Sequence, residues 1–566
     1  MSKWLIGSSR KLEDSGAPIA PTEYVPPAYS LPTGGTTWYA YVSGSEAPYN
    51  NETHTLTYIL ANLSAGDVIM LEAGSDYQGT FTFPDLGTSA YTYVVTSGVG
   101  SLPAQGTRIA DGDIGNMTTI TSPDGNAYEA INFEFSAAKY RFVGVRVLSG
   151  TGTQQYGLVA CGFDGTSAAS PTGRATQVSD LQTNIDFDRC IIRGRGKAVA
   201  SDDFGVLCDA VNFSIQDSIV DNFDHNGDSA AIKAYMGSGP ISILNSELVA
   251  SGTTVIFGGA DGSMGSSAQP HDIVIRNNWI HCPDTWNPDH GTWDGESRDF
   301  KNLIEIKKGN RILIERNIVE NKKPASQWNA IVLTVRNQSG GQNDIGISDV
   351  EIRHNIVRFV QGAFSISNHD DINNPTEPNK RTWIHDNLAY NLNHWTQHGS
   401  TSVAAITLFC NNAENIDAEN LRITHNTFVV GTDGAAYAYN NFFKWSVGAG
   451  SKAPYWTDII IRDNIFQGYD SALREAISGT DLDSYSTTNT FTSNVAYYEL
   501  HGTNYDAGNF VLEDETTVGF DVYAGDDYEL TSGTYRAGQA NQASDGTDMG
   551  APVADIINTY TDGVIP

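Results

Sequence analysis

Short runs of alternating apolar and polar residues fill most of the chain, and they fall into sets of three separated by polar corners. The clearest set is KNLIEIKKGNRILIERNIVENKKPASQWNAIVLTVRNQ, Lys301 to Gln338, whose inward parity is dominated by Ile, Leu and Val. Alternation with period two and β-branched enrichment predicts strand, corner, strand, corner, strand. The middle run carries Asn317 in a frame of apolar, any, apolar, two polar residues, Asn, any, apolar. The same frame recurs as IVIRNNWI at Asn278, VEIRHNIV at Asn355, TWIHDNLA at Asn387, LRITHNTF at Asn426 and IIIRDNIF at Asn464, with spacings of 39, 38, 32, 39 and 38 residues. Weaker copies precede them: FVGVRV near Val145, IDFDRCII at Cys190, FSIQDSIV at Ser218 and ISILNSEL at Ser246.

One such unit cannot bury its apolar side alone, whereas stacked copies share a continuous core. Stacking identical frames also lets the Asn amides form a ladder, each bonding to the next coil. About ten copies at the strand spacing of ~4.8 Å give a rod roughly 48 Å long. The Asn-marked frame resembles the right-handed parallel β-helix proteins of the pectate-lyase-like class, which includes polysaccharide lyases, glycoside hydrolases and phage tailspikes. The resemblance covers residues 37 to 550. It implies an all-β chain forming a single right-handed parallel β-helix, a solenoid with an N-terminal cap and a C-terminal closure.

The predicted organisation has four parts. Residues 1–36 hold a Pro-rich stretch, GAPIAPTEYVPPAYSLPTGG, and read as an extended arm that anchors the chain in an assembly. Residues 37–139 contain the cap, with a short amphipathic helix between His54 and Leu63, and an opening coil that turns at Gly66 and Asp67. The main helix occupies 140–467, and 468–566 hold terminal coils and the closure, with YELTSGTYRAGQANQASDGTDMGA near its end. A cap is physically required, because an open terminal coil exposes apolar surface and a sheet edge. Repeat spacing grows from 28 residues in the early copies to 38 and 39 later, so loops lengthen along the rod, notably at His281 to Arg298, Asn368 to Arg381 and Leu392 to Ser402.

Composition narrows the chemistry. A formal charge of −33 disfavours nucleic acid and anionic membrane as partners. No apolar run is long enough to cross a membrane, and the apolar stretch after Met1 is too short for a signal peptide. A β-helix without export information fits a virion-borne or extracellular setting. The five cysteines show no Cys-x-x-Cys spacing and read as buried apolar fillers. No cofactor motif appears. DHNGDS (Asp224 to Ser229) matches the first spacings of a calcium loop but lacks its Gly and its Glu, so no metal is predicted.

Parity places candidate side chains on the outer surface. With Ile304 and Ile306 inward, Glu305 and Lys307 face out; one coil on, Thr334 and Arg336 do so, and His369, Asp370 and Asp371 end the neighbouring strand. Glu305 with Asp370 or Asp371 supplies the two carboxylates of a glycosidase. Lys307, Arg336 and His369 supply the cations and base of a lyase, or bind substrate. The plainer reading is a solvated ion-pair ladder. Asp202, Asp203, Asp221, Asp224 and Asp228 form a rival acidic set. Eight of the ten tryptophans lie between 271 and 456, and Trp293 and Trp328 are predicted to stack on sugar rings. The leading expectation is a virion-associated, trimeric, tailspike-like protein that binds and hydrolyses a host surface polysaccharide. The alternatives are a non-catalytic adhesive or structural decoration protein and a free polysaccharide lyase.

Overall fold

The structure is a computed structural model. It describes residues 16–467 except 45, 125–128, 152–156, 164–172, 197–203, 226, 261–263, 265–267, 289, 323–326, 339, 343, 371–375, 393–403, 411–417, 430–440 and 448–454; beyond 467 it describes 486–497, 509–512, 520–522, 527–530, 543–545, 549–552 and 556. Asp202, Asp203 and Asp371 therefore lie outside the described residues.

Three parallel sheets of 14, 11 and 14 strands run the length of the described rod. One coil is seen at His271–Arg276 in the first sheet, Trp279–His281 in the third and Ile304–Ile306 in the second, before the chain re-enters the first sheet at Gly309–Glu315. Each strand pairs with its counterpart one coil on, as Ile273 with Ile312, Val350 and Thr382 in succession. The inward parity of all three sheets feeds one core that runs from Leu56 and Ile59 through Ile273, Ile304 and Val319 to Phe491. The helix Leu56–Leu60, capped by the Thr55 hydroxyl, buries its apolar side at the N-terminal end of that core. All five cysteines are free and buried.

The asparagine column forms. The Nδ2 of Asn278, Asn317, Asn355, Asn387, Asn426 and Asn464 each donates to the Oδ1 one coil on, at 2.9–3.0 Å. Asn494 and Asn509 extend the column at the C-terminal end. Ser218 and Ser246 extend it at the other, where the Cys190 and Ser218 amides donate to the next serine hydroxyl. The residue before each ladder position takes a left-handed conformation, φ 59° at Asn277 and 54° at His354, which turns the chain from the first sheet into the third.

The arm lies along its own rod. The Ile19 and Thr22 amides donate to Asp349 and Asp272, Glu23 pairs with Arg276 at 2.7 Å, and the Tyr24 carbonyl accepts from Ser242. The Pro27 carbonyl accepts from Arg141, and the Tyr29 ring packs on Tyr93. Gly16, where a Cβ would meet Asn420, and Pro27 thus lie eight coil spacings apart, about 38 Å at ~4.8 Å each. Eleven residue steps fully extended cover about 36–40 Å, so residues 16–27 are drawn out nearly straight.

Candidate functional site

The outer parity of the second sheet is a column: Lys233, Ile256, Glu305, Val332, Ser365 and Thr407 stand directly opposite one another in successive coils. The register differs by two residues from the sequence expectation: Val332 lies level with Glu305, because Asn329–Leu333 begins its strand just after Trp328. Arg336 is thereby carried past the strand end. The predicted patch has two groups that meet where the Arg336 amide donates to the Lys307 carbonyl at 2.9 Å.

The first group surrounds Glu305. Its side chain faces outward yet is only 3% exposed, and Lys307 Nζ stands 3.8 Å away, beyond hydrogen-bond range. Gly258 and Gly259, one coil earlier, leave room for this lysine: a Cβ on Gly258 would sit 2.9 Å from Lys307 Cβ. Two coils back, Lys233 is buried between the rings of Phe204 and Tyr235, its ammonium 4.1 and 4.4 Å from their centroids. Lys301, on the segment leading into the Glu305 strand, contacts Asp228. Burial raises the Glu305 pKa, only partly countered by Lys307, Lys301 and Lys233, and the Asp228 charge adds to the rise. Asp228 is at the surface, its side chain 70% exposed; the desolvation that raises its pKa is outweighed by Lys301, Lys233 and Lys307, and the net direction is down. Two carboxyls sharing the same three lysines are thus pushed apart, one toward the neutral acid and the other toward the ion.

The second group lies at the far end of the strands. Arg336 pairs with Asp370 at 2.9 Å, and the Asn337 amide donates to the other Asp370 oxygen at 2.6 Å. His369 is fully buried, with ring nitrogens facing the carbonyls of Asp370 at 3.2 Å and Thr376 at 2.6 Å. In this arrangement His369 secures a loop and does not face solvent. Asp370 is bound by Arg336 and a backbone amide, whereas the carboxyl coupled to Glu305 is Asp228, from the rival acidic set.

The other described acids of that set, Asp221 and Asp224, are each held by an arginine. Asp221 pairs with Arg193, and Asp224 pairs with Arg298, which lies over the Trp286 ring and ties the 282–300 loop to the rod. Trp293, on that loop, is 42% exposed, and Trp328 is 39% exposed. Trp279 and Trp383 instead stack on His281 and His385, both at 3.6 Å. Phe409, at 40% exposure, adds an aromatic face three coils beyond Glu305. Sequence reasoning named Asp228 only within the rival set and missed its association with Lys301 and Glu305, Lys301 and Asp228 lying four and seventy-seven positions from Glu305; the signal for it is the coil period, which brings corner residues of successive repeats together.

No protein-family model matches the chain, and no curated protein matches it. Among solved structures it is similar to a mannuronic acid-specific polysaccharide family 6 lyase from human gut microbiota (12% identity, 85% of this chain and 92% of that one, TM-score 0.43). It is also similar to the Dettilon tailspike protein (13% identity, 84% and 68%, TM-score 0.38) and to an alginate lyase from Paenibacillus (12% identity, 73% and 99%, TM-score 0.35). The three parallel sheets and the ladder settle the architecture. The chain is a right-handed parallel β-helix. On this β-helix the first sheet carries the arm, and the second carries the lysine-lined carboxyls.

Proposed function

We propose that this β-helix binds an extended polysaccharide along the outer face of its second sheet and cleaves it by hydrolysis, Glu305 acting as the acid and Asp228 as the base or nucleophile. The observation that carries this is the placement of two carboxyls among shared lysines, Glu305 buried with Lys307 Nζ at 3.8 Å and Asp228 paired with Lys301, so that burial pushes the first up and the lysines hold the second down. A hydrolase needs one carboxyl protonated to release the leaving oxygen and the other ionised to activate water or attack. Trp293 and Trp328 offer faces for sugar rings, and Arg336, whose amide donates to the Lys307 carbonyl, adds a cation beside the site. Asp370 and Asp371 are the alternative partners for Glu305. The biological setting we propose is a trimeric, virion-associated spike acting on a host surface glycan, which predicts that the chain co-purifies with virus particles.

The test is a panel of bacterial surface polysaccharides, read by release of reducing ends. Glu305→Gln and Asp228→Asn are each expected to lower release by about 10²–10⁴-fold, while Asp370→Asn leaves it within a few fold. Unchanged release by the first two would remove the site. Retention of a glycan without any loss of its viscosity would instead favour a non-catalytic adhesin. Unsaturated products absorbing in the near ultraviolet would make the protein a lyase, with Lys307 as a candidate base.

A further inference from the structure

Lys322 follows the third-sheet strand Ile318–Glu320, in a corner whose sequence, NKKP, reads as solvent-exposed. It is 3% exposed. Its ammonium reaches across the two preceding coils and donates to the Asn302 carbonyl at 2.8 Å, the Ala250 carbonyl at 3.2 Å, the Gly252 carbonyl and the Thr254 hydroxyl at 3.4 Å. Four oxygens from the corners of adjacent coils thus surround one cation with three protons to share. The other donors to the three carbonyls are long: the Thr254 amide to Asn302 O and the Lys301 amide to Gly252 O at 3.3 Å, and the Thr254 hydroxyl and Cys282 thiol to Ala250 O at 3.4 and 3.6 Å. Without the ammonium these buried oxygens are poorly satisfied, which is costly.

The cage adjoins the second-sheet site. Gly252 O also accepts from the Lys301 amide at 3.3 Å, and Asn302 is three residues from Glu305. We propose that Lys322 is a positioning residue for the Glu305–Asp228 site: its ammonium is a built-in cation that ties the Ala250–Thr254 corner to the Asn302 corner and so fixes the segment bearing Lys301 and Glu305. The proposal rests on the reading of that site given above. The titratable groups facing Lys322 are the Cys282 thiol and Lys301, and burial brings its pKa down to about 8. A neutral amine has one proton fewer to share among the same oxygens, so mild alkali loosens the tie.

The experiment uses the full chain. Lys322→Ala leaves the oxygen cage open, and methylammonium is the probe that refills it. The melting temperature of Lys322→Ala is expected to rise by several degrees in methylammonium chloride relative to tetramethylammonium chloride at equal ionic strength, with no such difference in the wild type. On the polysaccharide that the wild type depolymerises, Lys322→Met is expected to lose about 10–10²-fold in kcat with KM little changed, the scale of an ångström-sized misplacement. Methylammonium is expected to restore part of the Lys322→Ala rate. Identical melting of Lys322→Ala in the two salts overturns the cage. Recovery of melting temperature without recovery of rate overturns the positioning role and keeps the cage. A wild type that cleaves nothing removes the site reading, while the salt comparison still decides the cage. If the variants do not fold, acetylation of the native wild type decides the cage: Lys322 is expected to stay unmodified while exposed lysines react, and equal reactivity overturns it.

Discussion

The outer faces of the first and second sheets are built from the same repeat and end in opposite electrostatic states. On the first, most described charges from Asp272 to Asp386 have close partners in the same strand or one coil away, whereas Asp186, nearer the N-terminal end and held by the Ser214 and Tyr24 hydroxyls, has its pKa pushed up to about 6 by burial. Glu315 takes Arg276 on one side and Arg353 at 2.8 Å on the other, Arg353 reaches Glu351, and His385 bonds Glu351 and Asp386. Asp272 and Asp349 are each gripped by an arginine and by an arm amide. On the second, Glu305 is buried with its nearest lysine at 3.8 Å, and three lysines share two carboxyls. Saturated charges have their pKa values moved toward the ionised form, as at Glu315; the undersatisfied Glu305 moves toward the neutral form. A face satisfied by its own chain has little left to offer a ligand, and the strained face is where chemistry is expected.

Two isosteric neutralisations turn this contrast into opposite outcomes. Glu315→Gln removes the centre of a buried ladder and leaves two guanidinium groups short of a partner, so we expect a loss of about 2–4 kcal/mol in urea unfolding with unchanged glycan release. Its folded pKa is lowered, so the loss is fully present above the unfolded carboxyl value and shrinks as pH falls through the folded one. Glu305→Gln is expected to do the reverse. Release collapses, while stability at neutral pH holds or rises, because a carboxyl whose folded pKa is raised costs stability once it ionises. That advantage should fade as pH drops below the unfolded carboxyl value, where wild type and variant carry the same neutral group. Equal pH profiles for the two variants would erase the distinction between the faces.

How far the sequence reveals this depends on the distance over which each feature is encoded. The ladder was legible because its frame is local and repeats: six asparagines in one pattern predicted one column, and Asn278 to Asn464 form it. Its continuation at Asn494 escaped notice because NTFTSNVA puts a polar residue, Asn489, where the frame's first apolar residue belongs. Parity in the second sheet was correct and register was not, since period two fixes which side a residue faces but not which neighbour it meets. The two-residue offset sets Val332 level with Glu305, yet the Arg336 amide still donates to the Lys307 carbonyl and its guanidinium holds Asp370, while Lys301 and Asp228 join Glu305 from the other end of its strand. Lys322 is the extreme case: nothing in NKKP distinguishes a solvated corner from an ammonium enclosed by other coils' carbonyls. The Pro-rich arm likewise reads as a linker, because its partners lie 250 and 330 residues away.

The smallest expected effect concerns that arm, and it asks whether the first face is closed by the rod alone or needs residues 16–27. Thr22→Pro deletes one N–H, the donor to Asp272 at 2.8 Å, and suits an extended segment already rich in proline. Asp272 keeps its two Arg311 bonds at 2.7 Å, so the substitution removes a single charge-assisted bond at an otherwise occupied carboxylate. A net loss of about 1–2 kcal/mol in arm attachment follows, which is roughly a tenfold rise in the population of the detached arm and hence in thermolysin cleavage near Val25, a residue 70% exposed. The Asp272 pKa lies at about 2, burial opposing while Arg311 and the Thr22 amide prevail, so attachment should persist at pH 4 and weaken only toward pH 2. Cleavage of the variant at the wild-type rate would mean that the arginine–aspartate pairs close this face unaided and that the arm merely rests on it; a tenfold rise with unaltered glycan release would make the arm part of the face's own charge balance, and separate from the chemistry on the other side of the rod.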